Sequence, residues 1–230
     1  IPISRGVAPE VLSYFTGKKI EAGTLVSIPL RSQKRDAVVL SCEEALSIKS
    51  QLRAAPFHLK KIIDIKNAQL FLPSFLLAAK DTAVYAGAST GAVLNTLIPE
   101  KILRHAAALP HQHARKEKKE TARGTLEETY IIQSDDKERL AAYKSIVRES
   151  FARQESVFFC VPDKEHLTYV KEHLEKGISE YTFALHGDIP ARTLLDTWKN
   201  ILSKRHPVLL IGTGMFFSIP RTDIKTIIVD

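Results

Sequence analysis

The sequence has few cysteines, no long apolar run, no internal repeat and no low-complexity segment, and each absence removes a class of function. Cys42 and Cys160 are its two cysteines and stand far apart, and no signal-peptide pattern precedes them. A disulfide-stapled scaffold is thereby excluded, and two buried thiols in a reducing cytoplasm are expected. The longest apolar stretch, Leu70 to Ala79, is broken by Pro73 and Ser74. It falls short of the roughly 18 to 20 residues that a membrane helix needs, so neither a spanning segment nor a membrane partner is expected. What is present, 44% hydrophobic and 26% charged residues among 230 with a mean hydropathy of −0.08, suits one large globular domain or two smaller ones. The chain starts at Ile1 rather than Met and stops at Asp230 inside an apolar run, so a piece of a longer protein is expected.

The formal net charge of +7 is unevenly spread. Residues 1–100 carry 12 Lys and Arg against 8 Asp and Glu, residues 101–124 carry 7 against 2, and residues 125–230 carry 14 against 16. A polyanion contact therefore belongs before residue 125, although mild basicity also serves solubility alone.

Residues 24 to 30 alternate apolar and polar side chains, and a β-rich run, Ala37 to Cys42, follows across the polar link Arg31 to Asp36. This predicts a β-hairpin. Ile62, Ile63 and Ile65 suggest a third strand, and Pro73 opens a helical pattern through Phe75, Leu76, Ala79 and Ala83. The expected first domain is α+β, β-rich, over residues 1–100. Residues 101–124, rich in alanine and lysine from His105 onward, read as a flexible or helical basic linker. Beyond Gly124, strands are expected at Thr129 to Ile132, Val157 to Val161, Thr182 to Leu185, Val208 to Ile211 and Ile224 to Val229. Helices are expected at Asp136 to Arg153, Asp163 to Lys176 and Pro190 to Ser203. Apolar strands alternating with amphipathic helices predict an α/β domain over 125–230 with a mostly parallel sheet covered on both faces.

Such a domain would hold a phosphate loop between its first strand and helix. Residues 131–138 there read Ile-Ile-Gln-Ser-Asp-Asp-Lys-Glu. Against G-x-x-x-x-G-K-[ST] only Lys137 survives, because Ile131 and Asp136 take the glycine places and Glu138 the magnesium-ligating hydroxyl place. Backbone amides cannot wrap phosphates past these side chains, whereas Asp135 or Asp136 can cap the helix. His105, His111 and His113 lack a cysteine or carboxylate at ligand spacing and read as linker residues, so no metal is expected. Trp198 on an amphipathic helix reads as a core anchor.

Several strings in the second half fall in order: Val161-Pro162-Asp163 with Leu167-Thr168, Leu185-His186-Gly187, Trp198, Ile211-Gly212-Thr213 and Ile227-Ile228-Val229-Asp230. Together they resemble the first RecA-like domain of the primosomal protein N′ (PriA) replication-restart helicases, with VPE-x-x-LT, LHSGLS, a tryptophan, IGTRSA and II-x-DEEH. The first hundred residues independently resemble that family's 3′-end DNA-binding domain, through Leu12-Ser13-Tyr14, Gly23 to Pro29, Leu59-Lys60, and Tyr85 with Gly91, Val93-Leu94 and Leu97-Ile98-Pro99.

The resemblance implies a pocket for a terminal nucleotide with a free 3′-hydroxyl, made here of Leu12, Ser13, Tyr14, Arg31 and Lys60. Tyr14 keeps a stacking face and hydroxyl, and Lys60 a phosphate-pairing charge. Leu12 and Ser13 lose the family's aromatic and carboxylate, and Arg31 replaces its glycine. Tyr14 also reads as a core aromatic and Lys60 as a solvated charge. The resemblance implies single-strand backbone contact at Gly212 and Thr213, although a strand-ending turn also explains Gly212. It makes Lys137 and Asp230 remnants of a nucleotide site, with Gly214 in place of the arginine of IGTR.

The expected function is recognition of 3′-ended or branched DNA at stalled replication forks, with replication-restart proteins as further partners. The RecA-like domain would have lost its phosphate loop, so no catalytic residue and no cofactor is expected in this chain. The alternatives are an active ATP-dependent 3′-to-5′ helicase of the primosome, which would need ATP and magnesium, and an interaction module without a DNA role. Zinc belongs to the family's C-terminal segment with paired cysteines.

Overall fold

A computed structural model describes residues 11–48, 58–110, 127–130 and 135–230. The chain divides into two compact units, residues 1–113 with 217–220 and residues 114–216 with 221–230.

The first unit is strand-rich at its start. Strand β1 (Tyr14–Phe15) pairs in parallel with β4 (Lys60–Lys61), and β2 (Leu25–Leu30) sits between β3 (Gln33–Val38) and β5 (Asp64–Asn67), antiparallel to both. The expected hairpin forms with a different second strand. Residues 33–36, read from sequence as part of a polar link, are the first four residues of β3, and the turn is only Arg31-Ser32. The reason is position. β3 lies at a sheet edge, where exposed polar side chains are tolerated and guard against further pairing. Of the expected third strand, Ile65 lies in β5, while Ile62 and Ile63 lie between β4 and β5. Val26, Ile28 and Ala37 form a small core on one sheet face, with Tyr14, Val39, Ile62 and Ile65 packed against it.

Gly23 sets the entry to β2. Its φ is +87°, and a Cβ there would lie 1.9 Å from the Phe71 carbonyl oxygen, so only glycine lets the two backbones approach. Helices α1 (Pro73–Tyr85), α2 (Thr90–Leu97) and α3 (Glu100–Arg104) follow. Pro73 opens α1, as expected, and Leu76, Ala79 and Ala83 are its buried stripe. Residues 101–110, read above as the start of a linker, belong to the folded first unit. Ile102, Ala106 and Leu109 are buried, and the buried Asn67 amide donates to the carbonyls of Ala106 (2.9 Å) and Leu109 (3.2 Å). Three apolar residues at helix-like spacing sufficed for a small core face. Residues 111–126, the rest of that expected linker, lie outside the described residues, as do His111 and His113.

The second unit is α/β. Strands β6 (Ser156–Cys160), β7 (Thr182–Leu185), β8 (Leu209–Gly212) and β9 (Ile224–Val229) form a parallel sheet in the order β7-β8-β6-β9. Helices α4 (Asp136–Ala152), α5 (Lys164–Leu174) and α6 (Ala191–Ser203) intervene. Leu140, Tyr143 and Val147 of α4 and Leu167, Val170 and Leu174 of α5 pack with Val157, Phe159, Leu209 and Ile211 on one face. Trp198 of α6 is fully buried with Leu194 and Ile201, as a core anchor should be. Cover is incomplete at the edge strand β9, where Ile227 and Val229 are exposed. Of the expected strand Thr129 to Ile132, residues 131 and 132 lie outside the described residues, and 129 and 130 carry no strand.

The cysteines correct one expectation. Cys42 is exposed and Cys160 half-buried, with burial pushing the Cys160 thiol up from its ordinary pKa. Only Cys160 sits in a strand that packs it, whereas Cys42 follows the last residue of the hairpin's apolar face.

Candidate nucleic-acid interface

Strand pairing brings three separated segments of the first unit together. Tyr14 of β1 lies opposite Lys60 of β4 in the parallel register. The Tyr14 ring packs on the Val26–Ile28–Ala37 face, and its hydroxyl donates to the Pro29 carbonyl at 3.1 Å, two residues before the hairpin turn at Arg31. Burial pushes the Tyr14 hydroxyl above its ordinary pKa, which leaves it a neutral donor with oxygen lone pairs to spare. Tyr14 is thus both a half-buried core aromatic and a bridge from β1 to the turn. Leu12 is half-buried, and Ser13, Arg31 and Lys60 are exposed.

Arg31 has φ +53°, in the left-handed region where a glycine sits without strain. Arg31 takes this conformation at the turn and is itself exposed. Arg35 was not anticipated. It lies directly across from Ile28, so it shares the sheet face against which Tyr14 packs, and it donates to Gln33 Oε1 at 2.6 Å. The period-2 alternation of Gln33, Arg35 and Ala37 carried that signal, hidden by reading the segment as a link. On the opposite face Asp36 is engaged by Ser27 (3.0 Å) and Lys66 (2.6 Å).

This segment also carries the recognisable part of the chain. Residues 2–99 match the family model for the PriA 3′ DNA-binding domain (3′BD). Residues 2–99 form a PriA-type 3′ DNA-binding domain. A domain of this type supports DNA binding at 3′ ends. No curated protein matches the chain, and the α/β unit lies beyond the matched residues of the 3′ DNA-binding domain. Among the described residues no helix is long and apolar enough to cross a membrane, and no group of three His, Cys, Asp or Glu is placed to hold a metal.

In the α/β unit the remaining sequence-derived positions gather at two places. Asp135 caps α4, its Oδ1 accepting from the Lys137 backbone N–H at 2.7 Å, so the helix supplies its own anion to its first turn. Residues 131–134, the start of the expected phosphate-loop position, lie outside the described residues. Asp230, just past β9, accepts from the Tyr143 hydroxyl at 2.8 Å and lies 3.5 Å from Arg139 Nε. Burial, then the hydrogen bond to Asp230, pushes the Tyr143 hydroxyl up to about 12. Arg139 and Tyr143 are four residues apart on one face of α4, a spacing visible in the sequence but not linked there to Asp230. Gly212 is buried at the end of β8, and a Cβ there would lie 2.8 Å from the Leu185 carbonyl oxygen, so close strand packing accounts for the glycine. Thr213 is half-buried, and its carbonyl accepts from the Phe216 N–H at 3.0 Å.

Proposed function

We propose that the chain is a DNA-recognition protein of replication restart, seating a 3′ strand end of single-stranded or forked DNA at Leu12, Ser13, Tyr14, Arg31 and Lys60. In this reading the α/β unit is a RecA-like domain without a working phosphate loop, a platform for DNA backbone at Gly212 and Thr213 or for replication-restart proteins. It turns over no ATP and requires no cofactor in this chain.

The observation that carries the reading is the Tyr14–Lys60 register pair beside the Arg31 turn, inside the matched domain. A phenol and a cation paired on β1 and β4, with a second cation at the β2–β3 turn that the Tyr14 hydroxyl approaches through Pro29, suit a stacked terminal base and its phosphate. Two features of the α/β unit support the absence of a motor. Its expected phosphate loop has no glycine, and the α4 N-terminus is capped by Asp135. Asp230, the position of a magnesium-side aspartate, is instead held by Tyr143 and Arg139.

The test is equilibrium binding of the chain to one single-stranded sequence, offered as a linear strand and as a covalently closed circle, with ATP and magnesium titrated separately. Tighter binding of the linear strand and no ATP binding are expected. Equal affinity for circle and line overturns the end-recognition reading. Micromolar ATP binding abolished by Lys137→Ala replaces the inactive-motor reading with that of an ATP-dependent helicase.

A further inference from the structure

The segments that meet at the candidate site are of one charge. Residues 11–17, 30–35 and 58–63 contain no aspartate or glutamate, yet they carry Arg31, Lys34, Arg35, Lys60 and Lys61, all exposed. Among the described residues, the carboxylates nearest these segments in sequence are engaged elsewhere. Glu21 accepts from Gln69 at 2.9 Å, Asp36 from Ser27 and Lys66, and Asp64 from the Ile65 N–H at 2.8 Å. A 3′-hydroxyl donates as well as accepts, its donor half is best met by a carboxylate, and these segments offer none. A 3′-phosphate is an acceptor-only group with close to two negative charges, which cations and hydroxyls meet directly.

Resting on the end-recognition reading above, we propose that the site prefers a DNA strand terminated by a 3′-phosphate over one terminated by a 3′-hydroxyl. Arg31, from its left-handed turn beside the Pro29 carbonyl that holds Tyr14, and Lys60, in register with Tyr14, pair with the terminal phosphate. Ser13 donates to it without the repulsion a carboxylate at that position would impose. Arg31 is the residue on which the preference turns, since a glycine in the same backbone conformation would leave only Lys60.

The experiment measures binding of the whole chain, at about pH 8 where a phosphate monoester is dianionic, to one single-stranded sequence in four forms: 3′-hydroxyl, 3′-phosphate, 5′-phosphate with a 3′-hydroxyl, and a closed circle. The 3′-phosphate form should bind about three- to fivefold tighter than the 3′-hydroxyl form, the scale of one solvent-exposed ion pair. The 5′-phosphate form should gain nothing. Arg31→Gly, which suits its φ, should remove the preference, and Ser13→Asp at an exposed position should reverse it. Equal or tighter binding of the 3′-hydroxyl form overturns the inference while leaving end recognition standing, provided both linear forms exceed the circle. An equal gain from the 5′-phosphate also overturns it, as general electrostatics. A circle bound as well as the linear strands overturns the underlying reading instead.

Discussion

At the scale of single residues, Gly23 and Gly212 have little freedom, because each stands where another strand or loop backbone occupies the space of a side chain. Gly23→Ala combines a left-handed φ with a Cβ 1.9 Å from a carbonyl oxygen, so relief requires the Phe71 backbone to move. A loss on the order of 3 kcal/mol or more is expected in denaturant unfolding. Gly17→Ala, where no atom lies within 4 Å of the added Cβ, should stay within about 0.5 kcal/mol. Similar losses for both would show that Gly23 is not packed as described. Arg31 is the converse case, a long cationic side chain kept at positive φ where glycine would be free of strain.

At the scale of elements, one half-buried polar cluster ties β6 and α6 to the segment leading into β9. Arg221 donates to Asp223 and to the carbonyls of Ile201 (2.6 Å), Lys204 (3.1 Å) and His206 (3.3 Å), while the Ser156 hydroxyl donates to Asp223 at 2.6 Å. Burial alone would raise the Asp223 pKa. Hydrogen bonds from Arg221 and Ser156, with the Arg221 charge, outweigh it and hold the carboxyl below its ordinary value. The folded state therefore binds fewer protons than the unfolded one around pH 4. Stability from this group is full above its unfolded pKa of about 3.9 and is lost as pH falls through the lower folded value. Urea unfolding of the native sequence and Asp223→Asn should show a gap near pH 6 that narrows by about pH 3. A gap of constant size would mean that the ionised form is not what the cluster stabilises.

The elements of this unit were largely legible in the sequence, because long apolar strands and helices with stripes such as Leu194, Trp198 and Ile201 announce their period. The first unit was less so. Residues 33–36 pair through their backbone while their side chains stay in water, so nothing in their chemistry marks a strand, and Arg35 was missed with them. The Tyr14–Lys60 pairing rests on two-residue strands, too short for any periodicity. The residues of that site came from family resemblance, and their juxtaposition came from the fold.

At the scale of the whole molecule, the basic excess lies before residue 125, part of it within residues 1–100, which hold the 3′ DNA-binding match, and part in residues 101–124, while residues 125–230 are slightly acidic. Affinity for DNA should therefore follow the salt law of phosphate neutralisation and depend on where a lysine stands as well as on how many there are. The most direct test measures binding of the whole chain to a linear single strand across a salt series, for the native sequence, Lys60→Ala and Lys18→Ala. Lys60→Ala should lose on the order of tenfold in affinity and flatten the log–log salt slope by about 0.7, the value of one phosphate contact on a single strand. Lys18→Ala, an exposed cation outside the Tyr14–Lys60 register, should lose clearly less. Equal losses from the two substitutions, or binding insensitive to salt, would contradict the assignment of the 3′-end site to Tyr14, Arg31 and Lys60.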